Sequence, residues 1–156
     1  MDKNTIFKQA FRFIDKQQFI TVGTVTKNNK PHVSPKILVS GKETSFIVAD
    51  YILGKTAKNL KNNKYISISA FDIEKMVGYH IQGTVSCIQW GPEYEKLVKQ
   101  WDKRQTTSMR DRVIERVQGK RSIKSIELTI LKPKIFYKIK PLQIEKIDRG
   151  KVFESL

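Results

Sequence analysis

Residues 45–72 read SFIVADYILGKTAKNLKNNKYISISAFD. The pattern predicts a strand, a turn, a short basic helix and a second strand. The turn carries Gly54, Lys55 and Thr56 into the first turn of that helix, and Lys58 follows three residues after Lys55. Cations are poorly placed there, because a helix start bears partial positive charge and favours anions by about 0.3–1 kcal/mol per charge. A glycine, a lysine, a threonine and free backbone N–H groups at one helix start are, however, what a phosphate needs. Spacing alone leaves a solvated basic turn equally open, and the flanking segments decide between the two.

Working outward, residues 3–16 place Ile6, Phe7, Ala10, Phe11 and Ile14 at helical spacing, so an amphipathic helix is expected, with Asp2 or Asn4 as its cap. Residues 19–26, FITVGTVT, are β-branched and strand-like. KNNK at 27–30 is a turn, and Pro31 then opens a strand that Pro35 interrupts, which implies an edge or a bulge. Residues 64–72 alternate as a fourth strand and 77–90 form a fifth, with Cys87 expected as a small buried core residue and Trp90 as packing. Gly91, Pro92 and Glu93 open a helix whose apolar stripe is Tyr94, Leu97, Val98 and Trp101. A sixth strand is expected at 126–130, extended at 135–139 beyond the break at Lys132 and Pro133, and residues 142–148 read as one more short strand.

Connections of two to five residues suit hairpins and exclude most parallel crossovers. The expected fold class is therefore α+β: a mostly antiparallel six-stranded split β-barrel of Greek-key type with peripheral helices. The 156 residues predict a single domain. No apolar run approaches the roughly 20 residues of a membrane span. The opening residues, MDKNTIFKQAFRFIDK, lack a signal-peptide core, so the expected compartment is the cytoplasm, with no membrane partner. One cysteine and two histidines, His32 and His80, argue against a zinc site, and packing is expected for both histidines.

Thirty basic against fifteen acidic residues give a net charge of +15, which would suit nucleic acid, anionic membrane or a phosphorylated ligand. The lysines are spread along the whole chain, though, as general surface charge is, and no aromatic stripe for base stacking stands out in the sequence. Nucleic acid is accordingly the less favoured partner. The densest cluster includes Lys99, Arg104, Arg110, Arg112, Arg116, Lys120, Arg121 and Lys124. It predicts a basic helical insertion at about 102–124, either a solvated excursion or a lid for an anionic partner.

Four segments in order carry a resemblance: FITVGTVTKNNKPHVSPKILV (19–39), SFIVAD (45–50), GKTAKNLKNNKYISISAFD (54–72) and YHIQGTVSCIQWGPEYEKL (79–97), the last with Gly83 in an I-x-G-T strand. Together they resemble the FMN-binding split barrels of the pyridoxamine-phosphate oxidase superfamily. The resemblance implies FMN bound at the interface of a homodimer. It implies that Lys55 and Thr56 hold the phosphate with Gly54 letting the backbone approach. Lys36 would meet phosphate or ribityl groups, Pro35, Ile37 and Leu38 would run beside the flavin, and Val48 and Ala49 would pack against the ring, with Ser34 and Asp50 as further candidates. Asn59 would anchor the helix. Many relatives place arginine where Lys55 stands, and lysine binds phosphate as a point charge without the bidentate fork. The tail EKIDRGKVFESL lacks the arginine-rich substrate motif of the true pyridoxamine-phosphate oxidases. The implied activity is an oxidoreductase working through FMN with a small-molecule electron donor or acceptor such as NAD(P)H. A non-catalytic flavin carrier is the alternative. No catalytic acid or base is assigned.

Overall fold

A computed structural model describes residues 3–17, 19–42, 44–117, 132–149 and 151–155. The order is α1 (Lys3–Asp15), β1 (Ile20–Val25), β2 (Pro31–Lys42), β3 (Ser45–Asp50), α2 (Lys55–Asn62), β4 (Tyr65–Asp72), β5 (Val77–Ile88), α3 (Pro92–Val117), β6 (Ile135–Asp148) and β7 (Lys151–Ser155). Every strand pairing is antiparallel. The sheet order is β3-β2-β1-β4-β5-β6-β7, and a further pairing of β3 with β6 closes six strands into a barrel. The run β3-β2-β1-β4 is a Greek key: three strands joined by hairpins, then a fourth that returns beside the first. The connection that makes the return contains α2.

Alternation builds the interior. Val22, Ile66, Ile68, Ile81, Val85, Tyr137 and Ile139 point inward with Leu38, Phe46 and Val48. The helix α1 covers the barrel with the apolar face its periodicity predicted: Ile6, Ala10 and Ile14 are buried, and Phe7 packs on Phe46 at 4.9 Å between ring centroids. A second cluster lies outside the barrel, where Leu97, Val98 and Trp101 of α3 meet Val39, Ile47, Ala49, Ile88 and Phe136. Trp101 is fully buried edge-on to Tyr51, at 5.6 Å.

Several expectations are revised. The strand segments at 135–139 and 142–148 are one 14-residue strand, β6. Pro141 is tolerated because β6 pairs with β3 through Ile139 and with β7 only from Ile144, so no described strand flanks the proline on that side. On its other side Pro141 faces Gly83 at a register shift in β5. A Cβ on Gly83 would collide with the Lys140 carbonyl, so this position needs glycine. Cys87 is exposed rather than buried, since the β4–β5 ladder stops at Thr84 and leaves it uncovered. Trp90 is 85% exposed rather than packed. Residues 102–117 continue α3 as one 26-residue helix. The expected strand at 126–130 and the end of the basic cluster lie outside the described residues. Among the described residues no helix is long and apolar enough to cross a membrane.

Candidate functional site

The site begins with the two prolines of β2. Residues 31–36 of this strand have β1 on one side and, among the described residues, no strand on the other, while β3 flanks it only from Ile37 to Lys42. Proline has no N–H to donate, so Pro31 and Pro35 mark that open edge. The chain reaches it again through α2. Ser34 Oγ and Thr56 Oγ1 lie 3.0 Å apart, joining the β2 edge to the first turn of the helix. Asn59 Nδ2 donates to Thr24 Oγ1 at 3.0 Å in a buried bond, which fixes α2 against β1 as expected for an anchoring residue.

The start of α2 brings together a glycine cap, a lysine and a threonine. Gly54 occupies the cap position with φ −91° and ψ −148°, and no side chain caps the helix. Lys58 N–H is satisfied by the Gly54 carbonyl at 3.1 Å. The N–H groups of the first turn have no side-chain acceptor, and the exposed Lys55 stands beside them. Thr56 is only 2% exposed, so its hydroxyl is held in place. A Cβ on Gly54 would meet only Ile52, at 3.6 Å, so the protein leaves room at this corner.

Lys36 and Asp50 form a largely buried ion pair, with Nζ 3.2 Å from Oδ2. Tyr137 OH donates to the same oxygen at 3.1 Å, and Ile52 N–H donates to Oδ1 at 3.2 Å. The Asp50 carbonyl accepts from Lys134 N–H at 2.9 Å. Asp50 is thus occupied by protein donors and orients Lys36. An ammonium has three donors, so the pair with Asp50 leaves Lys36 further donor capacity. Burial pushes the Tyr137 phenol far up, with the Asp50 charge adding to it. Burial alone raises Tyr51 to about 12. Tyr137 is the member that sequence reasoning missed; its only signal was a lone hydroxyl in an apolar strand, IFYKI.

The other expected residues are placed differently. The side chains of Leu38 and Val48 enter the barrel core, and those of Ile37 and Ala49 enter the cluster under α3. Strand β3 is paired on both sides, with β2 and with β6, so residues 48–50 offer no free strand edge to a flat ring. The free edge is 31–36 of β2. What sequence could not show is the closure of β6 onto β3, a pairing across some 90 residues.

A cavity of about 540 Å³ lies across β1, β2, β4, β5 and β6, starting at Pro31, His32 and Val33 on the same strand. It brings His32 and His80 to one hollow, where His80 Nδ1 is 3.4 Å from Glu145 Oε2. Among the described residues no group of three or more histidine, cysteine, aspartate or glutamate side chains could hold a metal ion.

The family model described as Pyridoxamine 5'-phosphate oxidase matches residues 6–135. No curated protein matches the chain. Among solved structures, HupZ of Group A Streptococcus is similar at 24% identity, with 91% of this chain and 94% of that one covered and a TM-score of 0.65. A Clostridium acetobutylicum protein related to general stress protein 26 of B. subtilis superposes with a TM-score of 0.70 at 12% identity, covering 99% and 96%. A pyridoxamine 5'-phosphate oxidase-related, FMN binding protein from Nostoc punctiforme gives 0.60 at 11% identity, covering 99% and 96%. At such identities these likenesses speak for the fold.

Proposed function

The chain belongs to the pyridoxamine 5'-phosphate oxidase family, and from that premise we propose that it is an FMN-binding oxidoreductase. The observation that carries the proposal is the Ser34–Thr56 hydroxyl pair beside the uncapped start of α2, on the open edge of β2. This donor set suits the phosphate of a flavin mononucleotide: first-turn N–H groups, the Thr56 hydroxyl and the Lys55 ammonium. Residues 34–36 give the ribityl chain and ring a backbone edge. Lys36, oriented by Asp50, supplies positive charge along that edge. When bound, FMN supplies hydride or electron transfer, and the protein supplies position and electrostatics.

We further propose a homodimer that encloses this groove. The face around the 540 Å³ cavity exposes Val33 (61%) and Leu142 (53%), apolar positions that a second copy would cover. A small-molecule donor or acceptor such as NAD(P)H is the proposed partner in turnover, with the cytoplasm as the proposed compartment.

Titration with FMN, followed by the visible flavin bands, tests the reading. Saturable binding at one FMN per chain is expected, together with oxidation of reduced nicotinamide by the loaded protein. Absence of any bound flavin at saturating FMN would refute it. Binding without turnover to any nicotinamide, quinone or nitro acceptor would replace the oxidoreductase with a flavin carrier.

A further inference from the structure

Positive charge that looks scattered along the sequence is gathered by the fold at one end of the barrel. No aspartate or glutamate occurs at 16–42 or at 51–71. The first stretch contains the β1–β2 turn with Lys27 and Lys30; the second contains α2 and its exit, with Lys55, Lys58, Lys61 and Lys64. The Asn59–Thr24 bond places α2 beside the end of β1. Val85 N–H donates to the Lys64 carbonyl, and the charges of Lys64 and Lys61 reach the Cys87 thiol, so the end of β5 lies at this same pole. Lys134 joins them through its bond to the Asp50 carbonyl.

These cations differ from those at the opposite pole. There Lys75 pairs with Asp72 at 2.7 Å and Lys146 with Asp148 at 2.8 Å. Among the described residues, Lys27, Lys30, Lys58, Lys61, Lys64 and Lys134 are all exposed and make no ion pair. Two residues beyond β5, at the same pole, stands Trp90, the most exposed of the large hydrophobic side chains described.

We propose that this pole binds a single-stranded nucleic acid, its phosphates on the lysines of α2 and of the β1–β2 turn and a base stacked on Trp90. Unpaired lysines release counterions from a phosphate backbone, and an exposed indole offers a sequence-tolerant stacking face. A lipid-binding helix would turn an apolar face outward. In α2 the apolar residues Ala57 and Leu60 are buried, and its exposed residues, Lys55, Lys58, Lys61 and Asn62, are all polar. The site extends beyond the proposed flavin groove, since Lys58, Lys61, Lys64 and Trp90 are not among the residues proposed to hold the cofactor.

Fluorescence anisotropy with a labelled 15-nucleotide oligothymidylate, across a salt series, tests this on the FMN-titrated full chain. Binding is expected to weaken with salt at a log–log slope of about −0.7 per phosphate contact. Lys58→Glu/Lys61→Glu should weaken binding at least tenfold, by order of magnitude, and flatten the slope by about 1.4, two contacts' worth. Trp90→Ala should cost about tenfold. Lys16→Glu/Arg149→Glu makes the same charge change elsewhere and should alter affinity less than about twofold, salt screening diffuse charge. Equal loss in this control, no salt-dependent binding, or tighter binding to phosphatidylglycerol vesicles than to the oligonucleotide would each overturn the proposal. FMN binding measured on every variant keeps the outcome independent of the flavin reading.

Discussion

Single residues divide the proposed groove into parts that would bind and parts that hold those binders still. Thr56 and Lys55 are the proposed phosphate contacts, while Asp50 is saturated by Lys36, Tyr137 and the Ile52 N–H. Tyr137→Phe removes a buried donor to a charged acceptor and should lower stability by about 2 kcal/mol, as denaturant unfolding would show. The same phenol sets an alkaline limit. Tyrosine in the unfolded chain ionises near 10; in the folded protein Tyr51 holds its proton to about 12 and Tyr137 is raised further still. The unfolded chain therefore releases these protons first. The stability that the neutral phenols contribute is complete below pH 10 and declines as pH rises through 10 toward 12. A pH series of unfolding free energies should show a flat neutral region, then a fall that is shallower in Tyr137→Phe. The helix start carrying Lys55 and Thr56 was legible in sequence because a glycine, a lysine and a threonine entering a helix are a local signal. Tyr137 was not, because its partner lies 87 positions away.

At the scale of elements, the proline positions carried more than the sequence alone could interpret. Pro35 correctly marked an edge, and the structure shows which edge: the half of β2 that β3 does not cover. The sequence left 135–139 and 142–148 as separate segments, yet one strand runs through Pro141, where its flanking partners change. Gly83 is the matching concession on β5. Gly83→Ala would drive a methyl group into the Lys140 carbonyl and should destabilise by roughly 2 kcal/mol or more, seen as a thermal midpoint lowered by several degrees. Arg104 shows why α3 docks as it does. Its guanidinium donates to the Asp15 carboxylate and, at 3.1 Å each, to the carbonyls of Asp15 and of Val39 at the β2 bulge. Arg104→Ala leaves a bulge carbonyl without its donor and should cost about 1–2 kcal/mol. Arg104→Lys should recover only part of that, since one ammonium cannot span the same acceptors. The basic run around Arg104 read as either a solvated excursion or a lid; at this residue the charge is a clamp between α1, β2 and α3.

For the whole molecule, hairpin spacing and alternation made the antiparallel barrel readable, since those signals are local. Closure of β6 onto β3, the polar concentration of lysines and the enclosing surface depend on contacts across the chain. The proposed dimer belongs at this scale: Val33→Asp/Leu142→Asp should yield a monomer by light scattering and weaken FMN binding, while leaving the circular dichroism of the barrel intact. The central claim is that the start of α2 holds the phosphate of the flavin. Parallel titrations with FMN and with riboflavin, which lacks the phosphate, test it most directly. The wild-type chain should prefer FMN by about 100-fold, the value of two charge-assisted contacts. Lys55→Ala/Thr56→Ala should lose most of that preference, keeping only the part that the first-turn N–H groups supply, with riboflavin affinity unchanged. A double variant that still prefers FMN as strongly as the wild type would contradict the account.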